Sequence, residues 1–321
     1  MTLMRRELSG PLLIFNLTNE LLNNGHTIVG IDNLNNYYNV NLKIRNKNVL
    51  NTFPSFTMYV HDICDFNFLN TVFNTNQFDC VINLAAQAGV SNSLISPFDY
   101  INTNICGFTN IIECCKRYNI KKLIYASSSS VYGNSDIFPL TEDCDTNNPV
   151  SLYAATKKSD EVIAESYSNM FGLRCIGLRF FTVYGPCGRP DMAPAIFTKS
   201  ILNGTPITIY NNGDLKRDFT YISDIVNAII KIVDVDLDRK HEIYNIGSSN
   251  PVYVTELISE IEKNVGKKSE IIFKPMRAGD VKYTFSNCDK LKKDYNYTPN
   301  VSLSKGVKQF VDWFIKNKKF Y

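Results

Sequence analysis

The segment ELSGPLLIFNLTNELLNNGHTIVGID, from Glu7 to Asp32, decides how the amino-terminal half of this chain folds. Ser9 or Gly10 can cap a helix, and Pro11 fits the first turn of that helix. Leucines then recur four residues apart and predict one apolar helix face: Leu13, Leu17 and Leu21. The apolar run TIVGI predicts a buried strand that ends at an acid. This order is typical of the start of a dinucleotide-binding domain.

The same segment lacks the glycines with which such a domain holds a dinucleotide. The Rossmann pattern places three glycines before the helix, the last of them roughly 20 residues ahead of the acid. Counting back from Asp32 puts these positions at Leu8, Pro11 and Ile14, and Gly10 is out of register. The opening MTLMRREL gives no convincing strand either. We therefore expect a Rossmann-like domain in which the first strand and the glycine loop are degenerate.

Composition describes an ordinary globular protein and argues against several classes. Of 321 residues, 44% are apolar and 20% are charged, and a net charge of +3 is too small to indicate nucleic-acid binding. Nine cysteines in no paired metal spacing indicate reduced thiols in a cytoplasmic compartment. No apolar run approaches the ~18 residues of a membrane span, and no small-residue cleavage site follows the start. We expect a cytoplasmic protein without a metal, nucleic-acid or membrane partner.

Apolar runs alternate with helix-period stretches as far as about Leu178. The runs are TIVGI, DCVINLAA, KKLIYASS and RCIGLRFF. This rhythm predicts an α/β fold, a doubly wound parallel sheet with helices on both faces. Beyond it, loops rich in proline and glycine separate further helices around Tyr221–Val233 and Val254–Asn264. We expect a dinucleotide-binding domain over residues 1–177 and a smaller α/β substrate lobe over 178–321, closing over the strand ends where ligands bind.

A second segment, SLYAATKKSDE from Ser151 to Glu161, carries the predicted chemistry. Tyr153 and Lys157 stand four apart on a predicted helix, so their side chains share one face. A free tyrosine has a pKa near 10 and is a poor base at neutral pH, and a nearby ammonium lowers that pKa. Ser128, at the preceding strand end, can share a proton with the oxygen that Tyr153 deprotonates. A surface helix with a stray tyrosine is the alternative, and we favour catalysis.

Six stretches carry a resemblance to a known family: GIDNLNNYYN, NLAAQAGVSNSL, YASSSSVYG, SLYAATKK, LRFFTVYGPCGRPDMA and RDFTYISDIV. They are similar to the extended short-chain dehydrogenase/reductases of the NAD-dependent sugar-nucleotide epimerase group, above all the UDP-glucuronate 4-epimerases. The resemblance begins at about Asn16. It implies an isomerase that oxidises a UDP-sugar transiently at C4, with Tyr153 as base, and returns the hydride to the other face. It also implies a homodimer formed through helices that flank the sheet.

The resemblance assigns roles to residues at matching positions. For catalysis it implies Ser128, Tyr153 and Lys157. For NAD it implies Asp32, Asp62, Leu84, Ala85, Ala86 and Lys157, with Asn83 where the family usually has histidine. For the UDP-sugar it implies Ser129, Ser130, Thr182, Arg189, Arg217 and Arg277. The last two resemble the arginines that clamp the diphosphate.

Two of these matches separate neighbouring activities. Sugar 4,6-dehydratases place an Asp-Glu pair after the relay hydroxyl, where this chain has Ser129 and Ser130. Epimerases of neutral sugars carry asparagine at Thr182, and Thr182 with Arg189 suits a sugar carboxylate, which arginine can bind in a bidentate pair. UDP-glucuronate therefore fits better than UDP-glucose, and epimerisation better than dehydration.

The unusual start leaves two alternatives open. One is a pseudoenzyme, a UDP-sugar-binding remnant that has lost NAD because side chains at Leu8, Pro11 and Ile14 block the diphosphate. The other is that residues 1–15 derive from a misassigned start or a frameshift.

Overall fold

A computed structural model describes residues 2–5, 10–277 and 279–321 of the chain, with the backbone alone for residues 2–5, 10 and 11. Strands β1 to β6 and β11 form one sheet: Thr2–Arg5, Ile28–Asp32, Phe56–Tyr59, Cys80–Asn83, Lys122–Ser128, Arg174–Phe180 and His241–Ile246. Their order across the sheet is β11-β6-β5-β4-β1-β2-β3, and every pairing is parallel. The predicted doubly wound α/β architecture is confirmed.

Helices connect these strands and cover the sheet. The α-helices up to the sixth strand, α1 to α7, are Gly10–Asn23, Val40–Leu50, Phe66–Thr75, Val90–Ser93, Pro97–Tyr100, Phe108–Arg117 and Leu152–Phe171. A π-helix spans Ile101–Gly107 and a 3-10 turn spans Ser129–Tyr132. Strands β2, β4 and β5 are buried along their whole length, as expected of the middle of a parallel sheet covered on both faces.

The first helix forms as its apolar periodicity predicts. Leu13, Leu17 and Leu21 are at most 1% exposed and lie in the largest hydrophobic cluster of the described chain. Ile14, at one of the counted glycine positions, lies inside this helix and is equally part of that cluster. The predicted cap Ser9 and the counted position Leu8 lie outside the described residues.

The expectation that the first strand is degenerate is wrong. Strand β1 lies in the middle of the sheet, parallel to β2 on one side and to β4 on the other. Thr2 is opposite Val29 and Val81, so the strand has a hydrogen-bonded neighbour along both edges. A four-residue strand has too few positions to display a periodic pattern, and its two partners lie far along the sequence.

The remaining elements of the described chain are six short strands, five α-helices and two 3-10 turns. Strands β7 to β10, β12 and β13 are Thr182–Tyr184, Ile207–Ile209, Lys216–Arg217, Phe219–Tyr221, Val252–Tyr253 and Ile271–Phe273, paired as β10 with β7, β12 with β9 and β13 with β8. Helices α8 to α12 are Ala193–Asn203, Ile222–Asp234, Val254–Val265, Asp289–Tyr295 and Leu303–Asn317, with 3-10 turns at Asn211–Gly213 and Lys318–Phe320. The predicted helices around 221–233 and 254–264 are both present.

The proposed division at residues 177/178 stays a prediction. Its boundary falls inside β6, and β11 from the second segment joins the large sheet next to β6. No helix in the described ranges is long and apolar enough to cross a membrane.

Candidate active site

A cleft opens where β5 and β6 end, between the sheet and the later elements. Half of the residues predicted for the site line it: Ser128, Ser129, Ser130, Tyr153, Thr182, Arg189 and Arg217. The serines follow from the geometry of β5, because the strand ends at Ser128 and a 3-10 turn starts at Ser129. Carboxyl ends of parallel strands are where ligands bind in open α/β sheets.

Tyr153 enters the cleft from the first turn of α7. The Ser151 side chain caps this helix by accepting a hydrogen bond from the Ala154 amide at 3.1 Å. The Tyr153 ring meets Tyr100 edge-on at 6.2 Å and is only 7% exposed. The Ser128 hydroxyl hydrogen-bonds the Tyr153 side chain and is itself bonded by the Ser130 hydroxyl at 2.9 Å. The predicted serine–tyrosine pair therefore meets.

Lys157 follows Tyr153 by about one turn of α7 and is buried, with 1% of the residue exposed. Its Nζ donates to the Ala126 carbonyl oxygen at 3.0 Å and to the Asp160 carboxylate at 2.8 Å. The sequence led us to expect a tyrosine whose pKa is lowered by this lysine. The net direction is the opposite, since burial raises the pKa of Tyr153, and the Ser128 hydrogen bond and the Arg189 guanidinium oppose that rise only in part.

A second buried ion pair joins β6 to α7, on the wall of the cleft that carries Tyr153. The sequence analysis did not predict this pair. Arg179 on β6 binds both carboxylate oxygens of Glu161, at 2.8 and 2.9 Å. The Ser127 hydroxyl donates to the same carboxylate at 2.6 Å. Burial alone would raise the pKa of Glu161, but the hydrogen bonds from Arg179 and Ser127 hold it below the usual value. Glu161 stands four residues after Lys157, so helical spacing alone could have placed it on the same face of α7 as Lys157.

The side chains predicted to meet a sugar carboxylate lie on the opposite wall. Arg189 is 4% exposed and binds both oxygens of the Asp191 carboxylate, one of them at 2.9 Å from Nε. Its guanidinium also lies 5.3 Å from the centre of the Tyr37 ring. Thr182 opens strand β7 beside it in the same cleft. The fork of Arg189 is therefore already oriented for bidentate binding of a carboxylate.

The two arginines predicted to bind the diphosphate are less buried. Arg217 lines the cleft and donates to the Lys216 and Lys282 carbonyl oxygens at 2.9 and 3.0 Å. Arg277 has a half-exposed side chain, pairs with Asp280 at 3.2 Å, and lies over the Tyr210 ring at 4.0 Å. Asp280 lines the cleft, whereas Arg277 does not. The structure thus brings Arg217 to the cleft and leaves Arg277 beside it.

The residues predicted for the dinucleotide follow the ends of β2, β3 and β4. Asp32 ends β2, is 4% exposed, and accepts the Leu34 amide at 2.7 Å. The Asn33 amide joins this strand end to the Asp62 carboxylate at 2.9 Å. The predicted segment after β4 is fully buried: Leu84, Ala85 and Ala86. Carboxylates at these strand ends suit the hydroxyls of a ribose, so the described acids fit the adenosine end of a dinucleotide.

Next to this segment lies a polar link that the sequence did not predict. Asn104, on the π-helix, accepts the Gln87 amide at 2.6 Å, donates to the Gln87 carbonyl at 3.1 Å, and donates to Thr156 on α7 at 2.9 Å. The buried Gln87 Oε1 has no hydrogen-bond partner in the described part of the chain. A π-helix is rare and occurs often at functional sites. Through Asn104, this π-helix joins the segment that follows β4 to the helix of Tyr153.

Comparison with known proteins shows which proteins this chain is similar to. Residues 15–247 match the model of the NAD dependent epimerase/dehydratase family. A UDP-glucuronate 4-epimerase of Thermodesulfobacterium geofontis is 40% identical over 92% of this chain and 91% of its own. The crystal structure of the Bacillus cereus UDP-glucuronic acid 4-epimerase, in complex with UDP-glucuronic acid and NAD, superposes with a TM-score of 0.92 at 32% identity over the full length of both chains. A UDP-glucose 4-epimerase of Thermotoga maritima, solved with UDP-glucose, gives 0.89 at 29% identity over 99% of this chain and all of that one.

Proposed function

The chain belongs to the NAD-dependent epimerase/dehydratase family, and from this premise we propose that it interconverts UDP-glucuronate and UDP-galacturonate by epimerisation at C4. The observation that carries the proposal is the meeting of Tyr153, Ser128 and Arg189 in one cleft. The first two provide the proton chemistry at a sugar hydroxyl. The third provides a fixed guanidinium for the carboxylate that distinguishes glucuronate from a neutral sugar.

NAD, when bound, supplies the hydride acceptor and donor that an epimerisation through a ketone requires. Asp32 and Asp62 would hold its adenosine end, and Leu84, Ala85 and Ala86 would line its path. Lys157 would hold the nicotinamide ribose. Residues 6–9, which include the counted glycine position Leu8, lie outside the described ranges.

Tyr153 acts as the base that takes the proton of the sugar 4-hydroxyl, and Ser128 shares that proton. Ser130, hydrogen-bonded to Ser128 at 2.9 Å, lines the cleft together with Ser129, and both would border the sugar. Because burial raises the pKa of Tyr153, its deprotonation depends on local positive charge, for which the Arg189 guanidinium is one source. Tyr153 and Ser128 can return the same proton to the sugar oxygen, so the same residues serve the oxidation and the reduction at C4.

The carboxylate needs a clamp for a chemical reason. Oxidation at C4 turns glucuronate into a β-keto acid. Such an acid loses CO2 when the bond between C5 and the carboxylate carbon is perpendicular to the plane of the C4 ketone. Arg189 and Thr182 would hold the carboxylate against this rotation. Arg217 and Arg277 would bind the diphosphate. Dehydration is disfavoured because Ser129 and Ser130 stand where a dehydratase has two carboxylates.

The test begins with the purified 321-residue chain. It is denatured and the released dinucleotide is quantified by chromatography, and native protein is assayed for UDP-galacturonate formed from UDP-glucuronate. We expect near-stoichiometric NAD and conversion in both directions. Protein that neither contains NAD nor binds it at millimolar concentration would be the UDP-sugar-binding remnant instead. The similarity of the chain to epimerases solved with NAD does not favour this alternative.

The finer features of the assembly belong to the same proposal. We propose a homodimer formed through the helices flanking the sheet, supported by apolar side chains exposed on α5 and α7: Phe98, Val162, Met170 and Phe171. A cytoplasmic location is supported by the nine cysteines, all of which are free thiols. The division into residues 1–177 for NAD and 178–321 for the UDP-sugar is supported by the positions of the two groups of residues.

A further inference from the structure

Asp160 is a buried acid that the proposed chemistry does not yet use. It lies on α7, three residues after Lys157, and is 0% exposed. One carboxylate oxygen accepts from the Lys157 ammonium at 2.8 Å. The other, Oδ1, is buried without a hydrogen-bond partner among the residues that the structure describes. A buried carboxylate with an unpaired oxygen is costly, and such groups call for an explanation.

The charges around Asp160 come from three elements. On its own helix lie Lys157 and Glu161, and Glu161 is neutralised by Arg179 of β6. The phenol of Tyr125, on β5, faces both acids. Lys157 is therefore the cation that pairs with Asp160. The same negative charge reaches Tyr153, where it opposes formation of the phenolate.

We propose that Asp160 is a positioning residue that anchors the Lys157 ammonium and screens its positive charge from the Tyr153 hydroxyl. The anchor holds Nζ between Asp160 and the Ala126 carbonyl, directed along the end of β5. The screen makes the charge on Lys157 available to Tyr153 only when Asp160 carries a proton. The inference rests on the proposed function, since it assigns Tyr153 the role of the base.

The electrostatics of the pair support this arrangement. Burial raises the pKa of Asp160 to about 7, against the opposing effect of Lys157. Protonation of Asp160 therefore falls in the physiological range, and it couples to Tyr153, because the charged Asp160 carboxylate opposes formation of the phenolate. As pH falls through that range, Asp160 becomes neutral and the uncompensated ammonium favours the phenolate. As pH rises, the carboxylate cancels the ammonium.

The test is the pH dependence of epimerisation in Asp160→Asn. The amide oxygen can still accept from Lys157, but the negative charge is gone. We expect the acidic limb of the kcat/KM profile to move to lower pH by about one unit, the lower end of a close charge effect. Asp160→Glu keeps the charge and should keep the wild-type limb, and Asp238→Asn makes the same chemical change at an exposed position. An acidic limb that does not move in Asp160→Asn overturns the screening role.

A second readout does not depend on activity. In protein carrying 13C-labelled aspartate carboxyls, the wild-type chain should show one carboxyl signal titrating near neutral pH that is missing from Asp160→Asn. Absence of such a signal overturns the inference even if the variant fails to fold, because the wild-type spectrum decides it. A wild-type chain without epimerase activity would overturn the proposed function, and the labelled spectra would still decide the state of Asp160.

Discussion

The two walls of the cleft hold their charges in different ways. The wall formed by β5, β6 and α7 buries both members of two ion pairs, Arg179 with Glu161 and Lys157 with Asp160. The opposite wall carries Arg189 on a loop, where it pairs with Asp191 two residues away, an acid whose side chain is 44% exposed. The ion pairs of the first wall are held in place, because breaking one would leave a buried charge with neither a partner nor water. The second wall can exchange its own carboxylates for those of a ligand.

The largest effect is expected at the buried wall from Tyr153→Phe. Removing the hydroxyl leaves the ring packed against Tyr100 but abolishes proton transfer, a contribution of roughly 10²- to 10⁴-fold. We expect kcat to fall by about 10³-fold at unchanged NAD content, measured by coupled assay and by released dinucleotide. Tyr167→Phe, on the far end of the same helix, is the matched control. Equal losses in both variants would show that the effect comes from the helix and not from the hydroxyl.

The stability of that wall can be tested with Arg179→Met. The substitution leaves Glu161 buried without its bidentate partner, a loss of about 3–5 kcal/mol in the free energy of unfolding by analogy with other broken buried pairs. Arg239→Met breaks a pair with Asp294 in which the arginine is 40% exposed, and should cost about 1 kcal/mol or less. Urea unfolding at neutral pH compares them. Similar costs for the two variants would show that burial does not make the Arg179–Glu161 pair more important for stability than an exposed pair.

Selectivity tests the opposite wall through Arg189→Met. Loss of a bidentate partner should lower kcat/KM for UDP-glucuronate by about 10- to 100-fold, in line with ~1.5–3 kcal/mol for hydrogen bonds to a charged group. Activity on UDP-glucose should fall less, because that sugar has no carboxylate. Release of CO2 from UDP-glucuronate should rise, since the carboxylate is free to turn. Lys199→Met, the control, removes an exposed positive charge on α8. It should change neither the relative activity on the two sugars nor the release of CO2.

The smallest effect is expected at a surface cluster where α6 meets α7. Burial would raise the pKa of Glu113, but hydrogen bonds from Lys116, Arg117 and Tyr167 lower it to about 2. A carboxyl with a lowered pKa adds stability above its unfolded value, about 4.5, and that stability is lost as pH falls from 4.5 towards 2. Glu113→Gln should therefore cost at most ~1 kcal/mol at pH 7 because the cluster is partly solvated. The difference between the variant and the wild type should shrink across that acidic window in urea titrations.

Local patterns predicted much of the fold and the centre of the site. The periodicity of Leu13, Leu17 and Leu21 gave α1, and the four-residue spacing of Tyr153 and Lys157 placed both on α7. Serines at the end of an apolar run were correctly predicted to lie at the mouth of β5. These features depend on residues within a few turns of one another.

Other features were set by contacts between distant residues. Strand β1 exists through its pairing with β2 and β4, although its own four residues carry no pattern, and β11 completes the sheet from beyond residue 240. The raised pKa of Tyr153 follows from burial, which spacing along a helix does not report.

The sequence by itself therefore determined the alternation of strands and helices, the four-residue spacing of Tyr153 and Lys157, and the resemblance to sugar-nucleotide epimerases. Only the tertiary structure decided that Arg179 pairs with Glu161, that Arg189 binds Asp191, and that Asp160 is buried against Lys157. The physical reason is range. Periodicity and capping act between neighbours in the chain, whereas ion pairing, strand pairing and desolvation depend on which distant segments the fold brings together.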